Sequence, residues 1–518
     1  RGKTTSAPFN RAESNTIMGY YAGYLIENGT TNVLIGHSAG YAASGSVSQL
    51  TAIGHNAAYR STGGYSVAIG RNAGEEETGG YGWTHVGNGA GVEQKVGSGA
   101  THNSSFGYQA ANANVVGTYN TMIGSYAGRY NSAAGNTGVG VSAFEGVSGT
   151  TIAGENTAIG LAALSKGVIG SVGQSTAVGG YAGRFATGSY NTFMGYKAGN
   201  GGTTSAPFSS GTNNTALGYE ALKGFTTGYS NTVIGKSAGD AITTGYNNSI
   251  MGESAGTALT TGFGNVMIGR LAGYASTDVD KTVIIGEQAA YTGNMTSAAD
   301  GTVSIGSGAG KNITSGQANV SVGFGALTTE DTGDFNTAIG YQALLSQNRD
   351  GTVGNTAVGY KAGYAVTTAY SATIMGINAG VALTEGFSNT LIGANVAASL
   401  TTGDYNTAIG SNALNSEDVG RGTTAVGYNA LYSQNSDSSD EETGNTAVGF
   451  KALQSSTDQS FNVAIGACTM RVATGAAENV AVGWASLLDL TTGDSNVGVG
   501  YSTLANATTG ANNTAVGF

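Results

Sequence analysis

The sequence predicts an all-β fold, a repetitive parallel β-solenoid of about 29 coils of about 17 residues each. The first observation behind this is a phrase that returns along nearly the whole chain. It reads as a polar pair, two apolar residues, Gly, two variable residues, a small residue, another apolar or small residue, and a polar turn. Residues 389–428 show it as NTLIGANVAASLTTGDY, NTAIGSNALNSEDVGRG and TTAVGY. The second observation is the period: the Gly closing each apolar pair occurs 29 times from Gly19 to Gly517, and 17 of the 28 spacings are 17 residues. Such a period marks a stacked repeat. The third is local propensity. The T-A-I-G piece is β-branched and alternating, helix formers are scarce, and Gly interrupts every candidate helix.

Columns other than Gly test the alignment. The residue before each marker Gly is Ile, Val, Met, Leu or Phe in all 29 cases, and three residues after it stands Ala in 24 of 28. Four before the marker is Asn in 21 of 29; three before it is Thr in 18, Val in nine and Ser in two. Seventeen residues suit two short strands and two turns per coil, with coils stacked at the strand spacing of about 4.8 Å and a rod on the order of 140 Å. The residue before the marker is expected to face the coil interior, with the Thr or Val two earlier on the same side. The residue between them then points outward. An outward apolar column needs a partner, most simply three rods around an axis, unless it is scattered surface Ala. The Asn column reads as a structural ladder of amides bonding the coils above and below: Asn231, Asn248, Asn265, Asn389, Asn406, Asn445, Asn462, Asn479, Asn496 and Asn513.

A solenoid grows by adding coils, so 518 residues do not imply several domains. Residues 1–217 carry irregular spacings and loop insertions, including Glu75, Glu76 and Glu77 and a loop at Pro207; residues 218–518 keep a tighter register within one continuous rod. Later insertions lie in the coil-to-coil segment, at 292–300 and 433–443, and place variation on one face. The segment TTSAPF at 4–9 recurs at 203–208, so Arg1 already lies within a coil and the chain reads as part of a longer protein.

Charged residues are 10% of the chain and the net charge is −11, without the clustered Lys and Arg of a nucleic-acid surface. Cys468 is the only cysteine, so no intrachain disulfide forms. No window approaches a membrane span and no signal peptide opens the chain.

NTAIGYQAL at 336–344, NTAVGYKAG at 355–363, NTAVGFKAL at 445–453 and SVAIGRNAG at 66–74 resemble the head repeats of YadA-like trimeric autotransporter adhesins, and still more the version found in bacteriophage tail fibres. The resemblance covers essentially the whole chain. It implies a left-handed parallel β-roll, a homotrimeric fibre, an extracellular or virion location, and attachment to a surface through a glycan or protein receptor. The commonest spacing is longer than in the adhesin heads, and the residue after Gly is aromatic in 12 of 29 coils, which favours the phage-type version.

The search for chemistry finds no catalytic, cofactor or metal motif. His37 and His55 share a column but lack a third ligand; His85 and His102 have no acidic or Ser partner at any motif spacing. Gly-rich stretches such as 87–91 are expected by chance at this Gly content. DSSDEE at 437–442 matches no calcium loop. The strongest functional signal is the aromatic column after the marker, including Tyr219, Tyr341, Tyr360, Tyr428, Phe450, Trp484 and Tyr501. Its rings serve either packing, between rods or over the coil's own turn, or contact with a ligand. The expected function is that of a structural attachment fibre, a phage tail-fibre shaft, not an enzyme. The alternatives are a bacterial trimeric adhesin and, on the Thr column, an ice-binding solenoid.

Overall fold

The computed structural model of the chain describes residues 13–43, 47–93, 99–113, 117–148, 150, 153–166, 173–205, 208–436 and 442–518. The first TTSAPF segment, Pro207 and the acidic residues 437–441 lie outside the described residues. The fold is a parallel β-solenoid with the repeat spacing read from the sequence. Among the described residues, twenty-nine short strands, nearly all of three residues, pair in parallel with their neighbours within each unit. Two compact units are distinguished, residues 1–261 and 262–518, so the change in repeat regularity at 217/218 lies inside the first. The first unit's ladder runs from Thr16–Met18 to Ser249–Met251, the second's from Val266–Ile268 to Thr514–Val516. The only helix among the described residues is the single 3₁₀ turn Ser297–Ala299.

Register follows the columns. Thr390–Ile392 pairs with Thr407–Ile409, which pairs with Thr424–Val426, so Thr stacks on Thr and Ile on Ile or Val. The marker Gly sits where no other residue fits. At Gly410 φ is +131°, and an added Cβ would stand 2.6 Å from the carbonyl oxygen of Gly427 in the next coil.

Each coil has one main strand, not the two expected. Beyond the marker the backbone turns repeatedly into the left-handed region, at Asn412 (φ 57°), Leu414 (φ 52°) and Tyr405 (φ 57°), which breaks an extended strand. These turns stack by backbone bonds instead: Asn412 N–H donates to Ala394 O at 2.9 Å and Leu414 N–H to Ala430 O at 2.9 Å. Among the described residues second ladders are local, at Gly80–Tyr81 with Gly99–Ala100 and Gly333–Asp334 with Gly351–Thr352, with single bridges from Ala186 to Ser209 and from Arg421 to Glu442.

The facing of the strand is the reverse of that expected. Ala408 is fully buried while Ile409 is 37% exposed, and Thr407 is half-buried on the same outward side. The same holds at Ala357, Ile374 and Leu391, each interior, each followed by an outward Val, Met or Ile. Alternation fixes that the first and third strand residues share a face; it does not say which face is inside. The interior decides, because it is narrow. The middle residue shares it with the left-handed residue four after the marker, and their sizes trade. Ala408 is accompanied by Leu414 and Ala481 by Leu487, whereas Phe193 is accompanied by Gly199 and Met122 by Gly128. A Cβ on Gly199 would lie 2.1 Å from Cδ1 of Phe193. The middle residue, large or small, therefore belongs inside, and the invariant aliphatics after it are left outside.

Candidate interaction surface

The Asn column lies inside the coil wall. Asn406 N–H donates to Oδ1 of Asn389 at 2.9 Å, Asn406 Nδ2 donates to Gly420 O at 2.9 Å, and Asn406 Oδ1 accepts from Thr423 N–H at 3.0 Å. The same hand-over links Asn231 to Asn248 at 3.1 Å and runs from Asn445 through Asn462, Asn479 and Asn496 to Asn513 at 2.8–3.0 Å. Asn265 Oδ1 accepts from both Thr282 N–H and its hydroxyl, at 3.0 and 2.7 Å. These buried amides supply the acceptor that a backbone carbonyl would otherwise provide at the strand entrance. All but the exposed Asn513 are walled off from any ligand.

His85 departs from the expectation that it lacks acidic and Ser partners. It occupies the interior middle position of its strand, and Ser105 occupies the same position one coil on. His85 Nδ1 lies 2.6 Å from Ser105 Oγ, and Nε2 lies 3.7 Å from Oε2 of Glu77. Trp83 stacks on the imidazole at 4.9 Å. All four side chains are buried, so this acid–imidazole–hydroxyl row is part of the core and reaches no substrate. Burial pushes the Glu77 carboxyl above its usual range, with His85 opposing the shift. Burial likewise raises Glu330, although its carboxylate accepts from the backbone N–H groups of Asp331, Thr332 and Gly333.

The surface carries three recurring features. First, the strand face presents the half-buried Thr or Val row beside the aliphatic row, with Met194, Leu217, Met251, Met375, Ile409 and Ile465 all exposed. Second, the column after the marker pairs like with complementary partners up the stack. Phe324, Tyr341 and Tyr360 stack at 5.3 Å spacings and 11°. Tyr196 stacks on Tyr219 at 5.5 Å, Tyr428 on Phe450 at 5.6 Å, and Trp484 on Tyr501 at 4.7 Å. Where the column is not aromatic, Lys236 meets Glu253 at 3.1 Å and Arg270 meets Glu287 at 2.8 Å. His37 and His55 stack in this column at 5.1 Å. These rings lie on one another and also meet their own turns, where Lys197, Lys361 and Lys451 lie over Tyr196, Tyr360 and Phe450, and all stay exposed.

The third feature is an aromatic strip five or six residues before the marker, which the sequence reading missed. Tyr229 stacks on Tyr246 and Tyr370 on Phe387, each at 4.9 Å, and Tyr405 and Phe461 continue it. Its offset wavers between two positions with the turn before the Asn, so no single column displays it. No family model matches the chain, and no curated protein sequence matches it.

Proposed function

We propose that this chain is a segment of a structural attachment fibre that assembles as a homotrimer through its outward aliphatic row. The first assignment is the shaft of a bacteriophage tail fibre, extracellular and borne on the virion. One observation carries this reading: the residue before the marker is aliphatic or Phe in all 29 coils, yet its side chain faces away from its own coil. Core packing does not require that invariance, because the interior is filled by the neighbouring column. A solvent-facing row this long and this uniformly apolar is explained by burial against other copies. Three parallel copies around an axis cover every row and keep identical coils level.

Sedimentation equilibrium tests the assembly. The chain is expected at three times its 51.3 kDa mass, and Ile409→Asp is expected to weaken the trimer without unfolding the coil. Gold labelling of the source material with an antibody to residues 218–518 tests the setting. Label along tail fibres supports the virion assignment; label on a cell envelope supports instead a bacterial trimeric adhesin of the autotransporter type. The outward Thr row favours ice binding as a second reading, tested by thermal hysteresis of the purified chain.

A further inference from the structure

We propose that the notch around Gly422, between Tyr405 and Phe461, is a binding cleft for a neutral pyranose unit of a surface glycan. The aromatic strip is interrupted here. After the stacked pair Tyr370 and Phe387, Tyr405 turns edge-on to Phe387 at 81° and ends the stack. The next two coils carry Gly422 and Gly444 at the same position, and the row resumes with Phe461. The result is a cleft of about 270 Å³ lined by Tyr405, Arg421, Gly422, Glu442, Gly444 and Phe461. Its floor is open: an added Cβ at Gly422 meets nothing within 4 Å. Phe461 leans over Gly444, where a Cβ would stand 2.9 Å from the ring. The two walls are among the barest rings of the second unit, 58% and 55% exposed.

The chemistry selects the occupant. A pyranose has an apolar C–H face that packs on an aromatic ring and a rim of hydroxyls that both donate and accept. The cleft offers rings on its walls and a donor–acceptor pair on its rim, Arg421 and Glu442, 3.9 Å apart. That pair is balanced in charge, and the chain's net charge is −11, so a phosphate or other anion is not the match. The ladder of Tyr341 and its neighbours is a poorer sugar site, because each ring face is covered by the next ring at 5.3 Å. The first unit has a cleft of about 360 Å³ lined by Gly63, Gly64, Gly79 and Gly80 beside Tyr65 and Tyr81, but its two rings pack edge-on against each other at 6.5 Å and no charged pair lines it.

The inference takes its biological setting from the attachment reading. Saturation-transfer NMR on the full chain with maltotriose, cellotriose and tri-N-acetylchitotriose tests it. Transfer to at least one trisaccharide is expected, with affinity reduced about tenfold or more by Gly422→Tyr and by Phe461→Ala, and unchanged by Tyr341→Ala. Tyr is compatible with this left-handed position, as Tyr405 shows at φ 57°. No transfer to any of the three, or transfer indifferent to both cleft variants, overturns the proposal. Sedimentation of the same samples reports the assembly separately: a trimer without sugar contact removes the cleft alone, and a monomer with cleft-dependent contact removes the fibre reading alone.

Discussion

At the scale of single residues the coil is governed by volume. Phe193 and Gly199 occupy one space, as do Ala408 and Leu414, so in these coils one large side chain fills the space where two positions converge. Gly199→Leu is expected to destabilise by about 1–3 kcal/mol through overpacking, and Phe193→Ala by about 3–5 kcal/mol through a cavity. The double variant is expected to recover most of both losses, because it recreates the Ala–Leu pairing of other coils. Urea unfolding of the four proteins checks this; additive losses would contradict the shared-space account. The trade was present in the sequence, since both columns are visible there, and was missed because they were read one at a time. The contact of His85 with Ser105 was legible in the same way, as equal positions in successive coils. Glu77 was not, because its approach to His85 depends on how the turn folds inward.

Glu77 also gives the protein a pH signature. Its folded-state carboxyl is pushed above the usual range by burial, so the folded state holds the proton more tightly than the unfolded one. This group's stabilising contribution is complete below its unfolded value of about 4.3 and is lost as pH rises through the folded value. Glu77→Gln removes that dependence. Its stability advantage over the unsubstituted chain is expected to grow from pH 4 to pH 8, read as the difference in unfolding midpoints. An advantage that shrinks over this range would show that the carboxylate is instead stabilised where it lies.

At the scale of the element, the three-residue strand separates two jobs that hydrophobicity alone confuses. The sequence displays the alternation but not the handedness of the inside, and the most invariant apolar column was assigned to the core. It lies outside, and the interior is filled by the middle residue together with the turn residue opposite it, as by Ala408 and Leu414. Ala408→Asp is expected to cost at least about 4 kcal/mol, since it buries an unpaired charge. Ile409→Asp, one residue on, is expected to leave coil stability nearly unchanged. Circular dichroism melts of the dissociated chain compare them, and equal destabilisation would contradict the assigned facing. The strand entrance has its own test. Asn406→Ala leaves the Thr423 N–H and Gly420 carbonyl without their partner and is expected to cost about 2–3 kcal/mol in urea unfolding. The ladder was legible because Asn recurs at one offset; the second aromatic strip was not, because its offset changes with the turn.

At the scale of the whole molecule, the period alone was enough to read a parallel solenoid, because a repeat too short for a helix pair and rich in β-branched residues has few other ways to bury itself. The partner surface was not legible, since it depends on which strand face turns outward. With the facing known, the outward aliphatic row becomes the principal claim on a partner, and the aromatic ladder a second apolar feature. No helix among the described residues is long and apolar enough to cross a membrane, so that row is not explained by a membrane-spanning helix. The central claim is therefore that copies of this chain cover one another's aliphatic rows. Sedimentation equilibrium of the purified chain at micromolar concentration tests it most directly. The account predicts a single species of three times 51.3 kDa that dissociates when Ile409 and Ile392 are both replaced by Asp. A folded, soluble monomer at that concentration would contradict it.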